Sequence, residues 1–206
     1  MNDSVVIFGT GGFAREVACV LHDLGRGDQL AAFHEPDEVH QARELLGVPV
    51  QPQSAFDPAR HRAVIGIGSP GVRQKVVEEL PPNTVFDTLI HPSVVISQWV
   101  DVGAGSVLCA GSVLTCQISI GQHCHINLNT TVGHDCTFGD FCTVAPGANI
   151  SGSCHFGRRV DVGTQAAFRQ NLRICDDAVI GMGAVIVKDI VEPGTYLGVP
   201  AKKVAS

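Results

Sequence analysis

A chain of 206 residues with 45% hydrophobic and 17% charged side chains suffices for one domain or two small ones and excludes a disordered polymer. A formal charge of −6 leaves no basic face for a phosphate backbone, so nucleic acid is not an expected partner. No apolar run approaches the ~18 residues of a membrane span, and the N-terminal MNDSVVIF lacks the cationic and cleavage features of a secretion signal, so a cytoplasmic protein without membrane insertion is expected.

The first elements alternate. The apolar run Val5-Val6-Ile7-Phe8 meets the turn Gly9-Thr10-Gly11-Gly12, and Phe13, Val17, Val20, Leu21 and Leu24 then recur at helical spacing. Leu30-Ala31-Ala32-Phe33 predicts a second strand, and residues 63–68 a third, followed by a helix through Val72, Val76, Val77 and Leu80. Strands alternating with helices over residues 1–85 predict a small α/β domain on a parallel sheet. The Gly9–Ala14 loop has the spacing of a dinucleotide fingerprint, with Glu35 at the ribose-binding position after the second strand. About 85 residues are too few for both halves of a dinucleotide fold, so a single nucleotide diphosphate-sugar cradled by the helix N-terminus competes with that reading.

From residue 86 the period becomes six. Every sixth residue from Ile90 through Ile96, Val102 and Leu108 to Ile186 is large and apolar, and the residue four places further on is small or aliphatic. Gly follows the apolar position at 103, 121, 133, 139, 157, 163 and 181. This is a hexapeptide β-helix: short strands meet at tight corners, and three hexapeptides close one coil that rises roughly 4.8 Å. Cys124, Cys136, Cys142 and Cys154 occupy the small inward phase and are expected as packed, reduced thiols rather than disulfides.

With the interior filled, chemistry belongs on outward phases. His134 and Asp135 lie there, with Cys116 one coil before the histidine and Gly152 one coil after it. An imidazole beside a carboxylate suits a general base, although two solvated turn residues would read the same by spacing alone. Asn127 and Asn129 equally suit corners. His123, His125, His134 and His155 also crowd one half of the prism, but their spacing does not converge within one chain, so no metal is expected.

The segments Ile90-His91-Pro92-Ser93, Gly133-His134-Asp135-Cys136, Val144-Ala145-Pro146-Gly147-Ala148, Ile180-Gly181-Met182-Gly183-Ala184 and Gly198-Val199-Pro200-Ala201-Lys202 resemble the bacterial sugar O- and N-acyltransferases of the NeuD and PglD type, over nearly the whole chain. The resemblance implies a Rossmann-like N-terminal domain (1–85) that binds the sugar nucleotide, followed by a left-handed β-helix domain (86–206). It also implies a homotrimer with acetyl-CoA between neighbouring helices. It makes His134 the general base, Asp135 its carboxylate partner and Asn127 a polar residue of the same site. Gly147, Gly152, Thr164, Gly181 and Met182 become acetyl-CoA contacts, with 198–202 nearby, and Gly11, Gly12, Phe13, Gly68 and Arg73 join Glu35 as substrate contacts. Several amino-sugar relatives carry His at the position of Phe13 and Gly-Lys after it, where this chain has Ala14-Arg15. The expected reaction is acetyl transfer to the amino group of a nucleotide-linked amino sugar. O-acetylation of a sugar such as sialic acid, or a non-catalytic nucleotide-sugar-binding β-helix, are the alternatives.

Overall fold

The computed structural model describes residues 4–204; the outermost ends of the two expected domains, 1–3 and 205–206, lie outside the described residues. The N-terminal part is a five-stranded sheet in the order β3-β4-β2-β1-β5. Its strands are β1 (Val5–Phe8), β2 (Leu30–Glu35), β3 (Arg43–Leu45), β4 (Val48–Pro52) and β5 (Arg62–Ile65), with helices α1 (Gly12–Asp23) and α2 (Pro70–Glu79). β1, β2, β4 and β5 run parallel, and β1 is paired on both sides, by β2 and β5, with Val5, Val6 and Ile7 wholly buried on both faces. α1 packs Ala14, Val17 and Leu21 onto it.

Two details differ from the sequence reading. Residues 43–52 form a hairpin through Leu46 and Gly47, both at positive φ, where no strand was expected. The third expected strand stops at Ile65 rather than running to residue 68. At Gly66 a Cβ would lie 2.8 Å from Ala14 Cα, so the backbone leaves the sheet against α1 at a spot only glycine fits.

The rest is a three-faced parallel solenoid of the left-handed β-helix type. The first face stacks Val107–Leu108, His125–Ile126, Thr143–Val144, Asp161–Val162 and Ala178–Ile180. The second stacks Val113–Leu114, Thr131–Val132, Asn149–Ile150, Ala167–Phe168 and Val185–Ile186. The third stacks Ile118–Ile120, Thr137–Phe138, His155–Phe156 and Arg173–Ile174. Partners are 18 residues apart, as three hexapeptides per coil require. The sixth-position residues from Leu108 to Ile186 form one continuous core, in which Phe138 and Phe156 stack 4.6 Å apart. Burying such side chains is worth about 1.5–3 kcal/mol each. Cys124, Cys136, Cys142 and Cys154 are in this core as free thiols. A final hairpin, Gly194–Leu197 with Lys202–Lys203, extends the first face.

The three corners between faces form three edges along the prism. The first edge joins the first and second faces, the second edge the second and third, and the third edge the third and first. From Gly105 to Gly183 each corner turns through a residue at positive φ, among them Asn129 and Gln165 on the first edge, Asp135 and Ser153 on the second, and His123 and Phe141 on the third.

Candidate active site

Four residues, 133–136, carry the chain round the second edge. At Gly133 a Cβ would sit 2.6 Å from the Gly152 nitrogen, so the corner closes only with glycine. The backbone is then pinned to both neighbouring coils: Asp135 N–H donates to the Cys116 carbonyl (3.1 Å), and the His134 carbonyl accepts from Ser153 N–H (2.7 Å). Asp135 takes the left-handed conformation (φ 59°), which short polar side chains tolerate. This places its carboxylate beside the preceding imidazole, with His134 Nδ1 and Asp135 Oδ2 2.6 Å apart.

An ionised carboxylate only accepts hydrogen bonds, so Nδ1 carries the proton and Nε2 presents its lone pair outward. Both side chains are open, 62% and 48% exposed. Gly152 lies against one face of the ring: a Cβ there would be 2.6 Å from both Cε1 and Nε2. On the other side, Cys116 and Gln117 together with Trp99 line a groove of about 270 Å³. Cys136, next in sequence, points into the core, and its thiol is held well above the usual range by its hydrogen bond with the stacked Cys154 and by burial. It is not placed to act as a nucleophile.

The other expected site residues separate into two groups. Asn127, Gly147, Thr164, Gly181 and Met182 all lie on the first edge, one face away from His134. Asn127 is buried there and donates its side-chain amide to the Val144 carbonyl (2.8 Å). Met182 is 81% exposed, three coils above Asn127 toward the C-terminus. One chain therefore unites His134, Asp135 and Gly152 but keeps them apart from the first-edge residues.

In the N-terminal sheet, Gly11 and Gly12 form the exposed start of α1, without a side-chain cap. Phe13 turns its ring onto His125 of the β-helix, 4.5 Å between centroids. Glu35 is buried at the end of β2. Arg43 binds it through two nitrogens (2.6 and 2.7 Å), Gln41 N–H and His40 add further bonds, and the Arg43 bond above all lowers its carboxyl to about 2. The Gly68 carbonyl accepts from Arg73 and from Thr143.

Arg73 corrects the expectation of a substrate contact. It is wholly buried, and its guanidinium is consumed by the protein: it donates to the carbonyls of His123, Ile67, Gly68, Phe141 and Cys142, to Thr143 Oγ1 and to His125 Nδ1. Burial lowers it to about 10. It fastens the N-terminal domain to the third edge, and no donor is left for a ligand. The four histidines are dispersed as well. His123 and His125 are sealed around Arg73, while His155 bonds to Thr137 on the third face. Among the described residues no cluster of three His, Cys, Asp or Glu could hold a metal, and no helix is long and apolar enough to cross a membrane.

Residues 4–80 match the family model described as the PglD N-terminal domain. The GDP-perosamine N-acetyltransferase of Escherichia coli O157:H7 is 28% identical over 174 residues, 81% of this chain and 78% of that one. Two solved structures superpose over nearly the full length. PerB from Caulobacter crescentus, in complex with CoA and GDP-perosamine, gives a TM-score of 0.90 at 31% identity and covers 98% of this chain and 97% of that one. The acetyltransferase domain of PglB from Neisseria gonorrhoeae, in complex with acetyl coenzyme A, gives 0.90 at 28% identity and covers 99% and 100%.

Proposed function

The chain belongs to the NeuD/PglD-type bacterial sugar acetyltransferases, and on that premise we propose that it moves the acetyl group of acetyl-CoA to the amine of a nucleotide-linked amino sugar, with His134 as general base. The observation that carries this reading is the 2.6 Å pair of His134 and Asp135, exposed on a rigid edge with Nε2 free. The solved relative with CoA and GDP-perosamine bound supports the substrate class. In this reading residues 1–85 hold the acceptor and residues 86–206 the donor. The free cysteines fit a reducing, cytoplasmic setting.

Acetyl-CoA supplies the activated acyl carbon. His134 Nε2 accepts the proton of the acceptor nitrogen as that nitrogen bonds to the carbonyl, and Asp135 steadies the imidazolium through Nδ1–H. The imidazolium then returns its proton to the departing thiolate. Because the first-edge residues lie one face away from His134, the reading also includes a homotrimer, in which the first edge of one copy faces the second edge of the next. Thr164 and Met182 of a neighbour then line the donor.

The test is acetyl-CoA turnover against a panel of nucleotide-linked amino sugars, with the product identified by mass. A base-stable amide is expected, and His134→Ala should lower kcat by about 10²–10⁴ without a shift in melting temperature. Full activity in that variant removes the base assignment. An ester product turns the reading toward O-acetylation, and a monomer by light scattering removes the shared site.

A further inference from the structure

The groove beneath His134 takes no part in the proton transfer at Nε2. It is lined by Trp99, Cys116 and Gln117, and Trp99 is 62% exposed. By the 18-residue stacking, Trp99, Gln117 and Asp135 succeed one another up the second edge, as do Cys116, His134 and Gly152. Two backbone bonds tie these coils in order: Ile118 N–H to the Trp99 carbonyl (3.3 Å) and Asp135 N–H to the Cys116 carbonyl (3.1 Å). The Cys116–Gln117 floor is thus one coil, about 4.8 Å, below the imidazole, and the indole is one coil further down.

We infer that Trp99 is a specificity-determining residue that stacks on the apolar face of the acceptor's sugar ring and presents its amine upward to His134. This rests on the acyltransferase reading above. Three observations select a sugar ring as the occupant. The donor contacts on the facing edge, Gly147, Thr164 and Met182, lie in coils above that of His134, so the N-terminal side of the base is left for the acceptor. Arg169, exposed on the second edge, lies two coils above Gly133 and gives the upper side a cation, whereas no charged side chain lines the groove below. That lack of charge is wrong for a phosphate and right for a neutral ring. Finally, a broad aromatic surface beside a carboxamide matches the two sides of a pyranose: the indole covers its C–H face, and the Gln117 amide can donate to and accept from its hydroxyls. Cys116 is small enough to leave the ring room beneath the imidazole.

Trp99 is the only tryptophan of the chain, so its emission reports the site directly. The full-length protein is titrated separately with a nucleotide-linked amino sugar, with the free nucleoside diphosphate and with acetyl-CoA. The inference expects an emission change with the sugar nucleotide and little with the other two. It further expects Trp99→Ala to raise the acceptor KM about 10-fold, a stacking loss of about 1.4 kcal/mol, with the acetyl-CoA KM unchanged and Trp99→Phe restoring most of the difference. An equal response to the free diphosphate or to acetyl-CoA overturns it, as does an unmoved acceptor KM. Blue-shifted, iodide-resistant emission in the unliganded protein also overturns it, because the indole is then covered by another copy. Fluorescence needs no turnover, so a silent Trp99 in an active enzyme sinks this inference alone, whereas absent turnover with every amino sugar sinks the acyltransfer reading.

Discussion

The second and third edges of the prism are built by the same repeat, and both carry histidine on outward phases, yet the two have opposite fates. His134 on the second edge stands in solvent with one carboxylate beside it. On and beside the third edge, His123 and His125 are 3% and 0% exposed, covered by Phe13 and Arg73 of the N-terminal domain and by Phe86 at its junction with the β-helix. A six-residue period therefore decides only what lies outside the coil. Whether that outside is water or a second core depends on which edge the N-terminal domain covers.

The contrast breaks most visibly at Arg73. Replacing it by Met should cost about 3–5 kcal/mol, because the carbonyls of Phe141, Cys142 and His123 lose a buried charged donor that nothing replaces. In urea, the N-terminal domain is expected to melt away ahead of the β-helix, giving two transitions by circular dichroism and early proteolytic cleavage between them. A single transition within 1 kcal/mol of the wild type would show that packing alone holds the two parts together. On the second edge, His134→Ala removes a side chain whose one partner in the fold is a half-exposed carboxylate, so its stability effect should remain within about 0.5 kcal/mol.

Gly152 sharpens the same comparison at smaller amplitude. Its φ is not in the left-handed region, so alanine is tolerated by the backbone, but the new methyl would sit 2.6 Å from Cε1 and Nε2 of His134. The ring must swing off its stacked position. Gly152→Ala is expected to lower kcat 10- to 100-fold, about 1.4–2.7 kcal/mol in barrier, with an unchanged melting temperature. Unaltered kcat would mean that the base does not need the orientation seen here.

Much of this was legible before the fold was known. The hexapeptide register gives the coil, the inward cysteines and the outward His134, because a repeating interior fixes each residue's phase. Which edge a residue occupies requires the same arithmetic modulo 18, and by that count Asn127 already falls on a different edge from His134, while Trp99 falls two coils below Asp135. Arg73 was not legible: a lone arginine on a helix reads as an anion contact, and apart from the nearby Ile67 and Gly68 carbonyls its acceptors lie 50 to 70 residues away, on a surface that exists only after the coil has closed. The hairpin at 43–52 escaped because Leu46-Gly47 is a weak turn signal, the edge strand Arg43–Leu45 has only three residues and two of them are charged, and the strand Val48–Pro52 carries two prolines.

The smallest effect concerns protons on the sealed side. Burial, with Arg73 adding to it and Asp140 opposing, lowers His123 to about 4, from 6.5 as the ordinary value; burial likewise holds His125 well below that value. His125 Nδ1 already accepts from Arg73, so a second proton there would set two cations against each other. The folded values lie below the unfolded ones, so between pH 6.5 and 4 the unfolded chain binds protons that the folded chain refuses. Stability from this source is whole above about pH 6.5 and is lost as the pH falls toward 4, and for His123 the drop from pH 7 to 5.5 is about 1 kcal/mol. His123 Nδ1 has no partner among the described residues, and its ring stacks on Phe141 at 5.1 Å, so His123→Phe keeps the stacking and removes the titrating nitrogen. Denaturant midpoints at pH 7 and 5.5 should then converge in the variant and remain apart in the wild type. Equal pH slopes in both would mean that the third edge admits water to this ring, and that its difference from the second edge is one of degree.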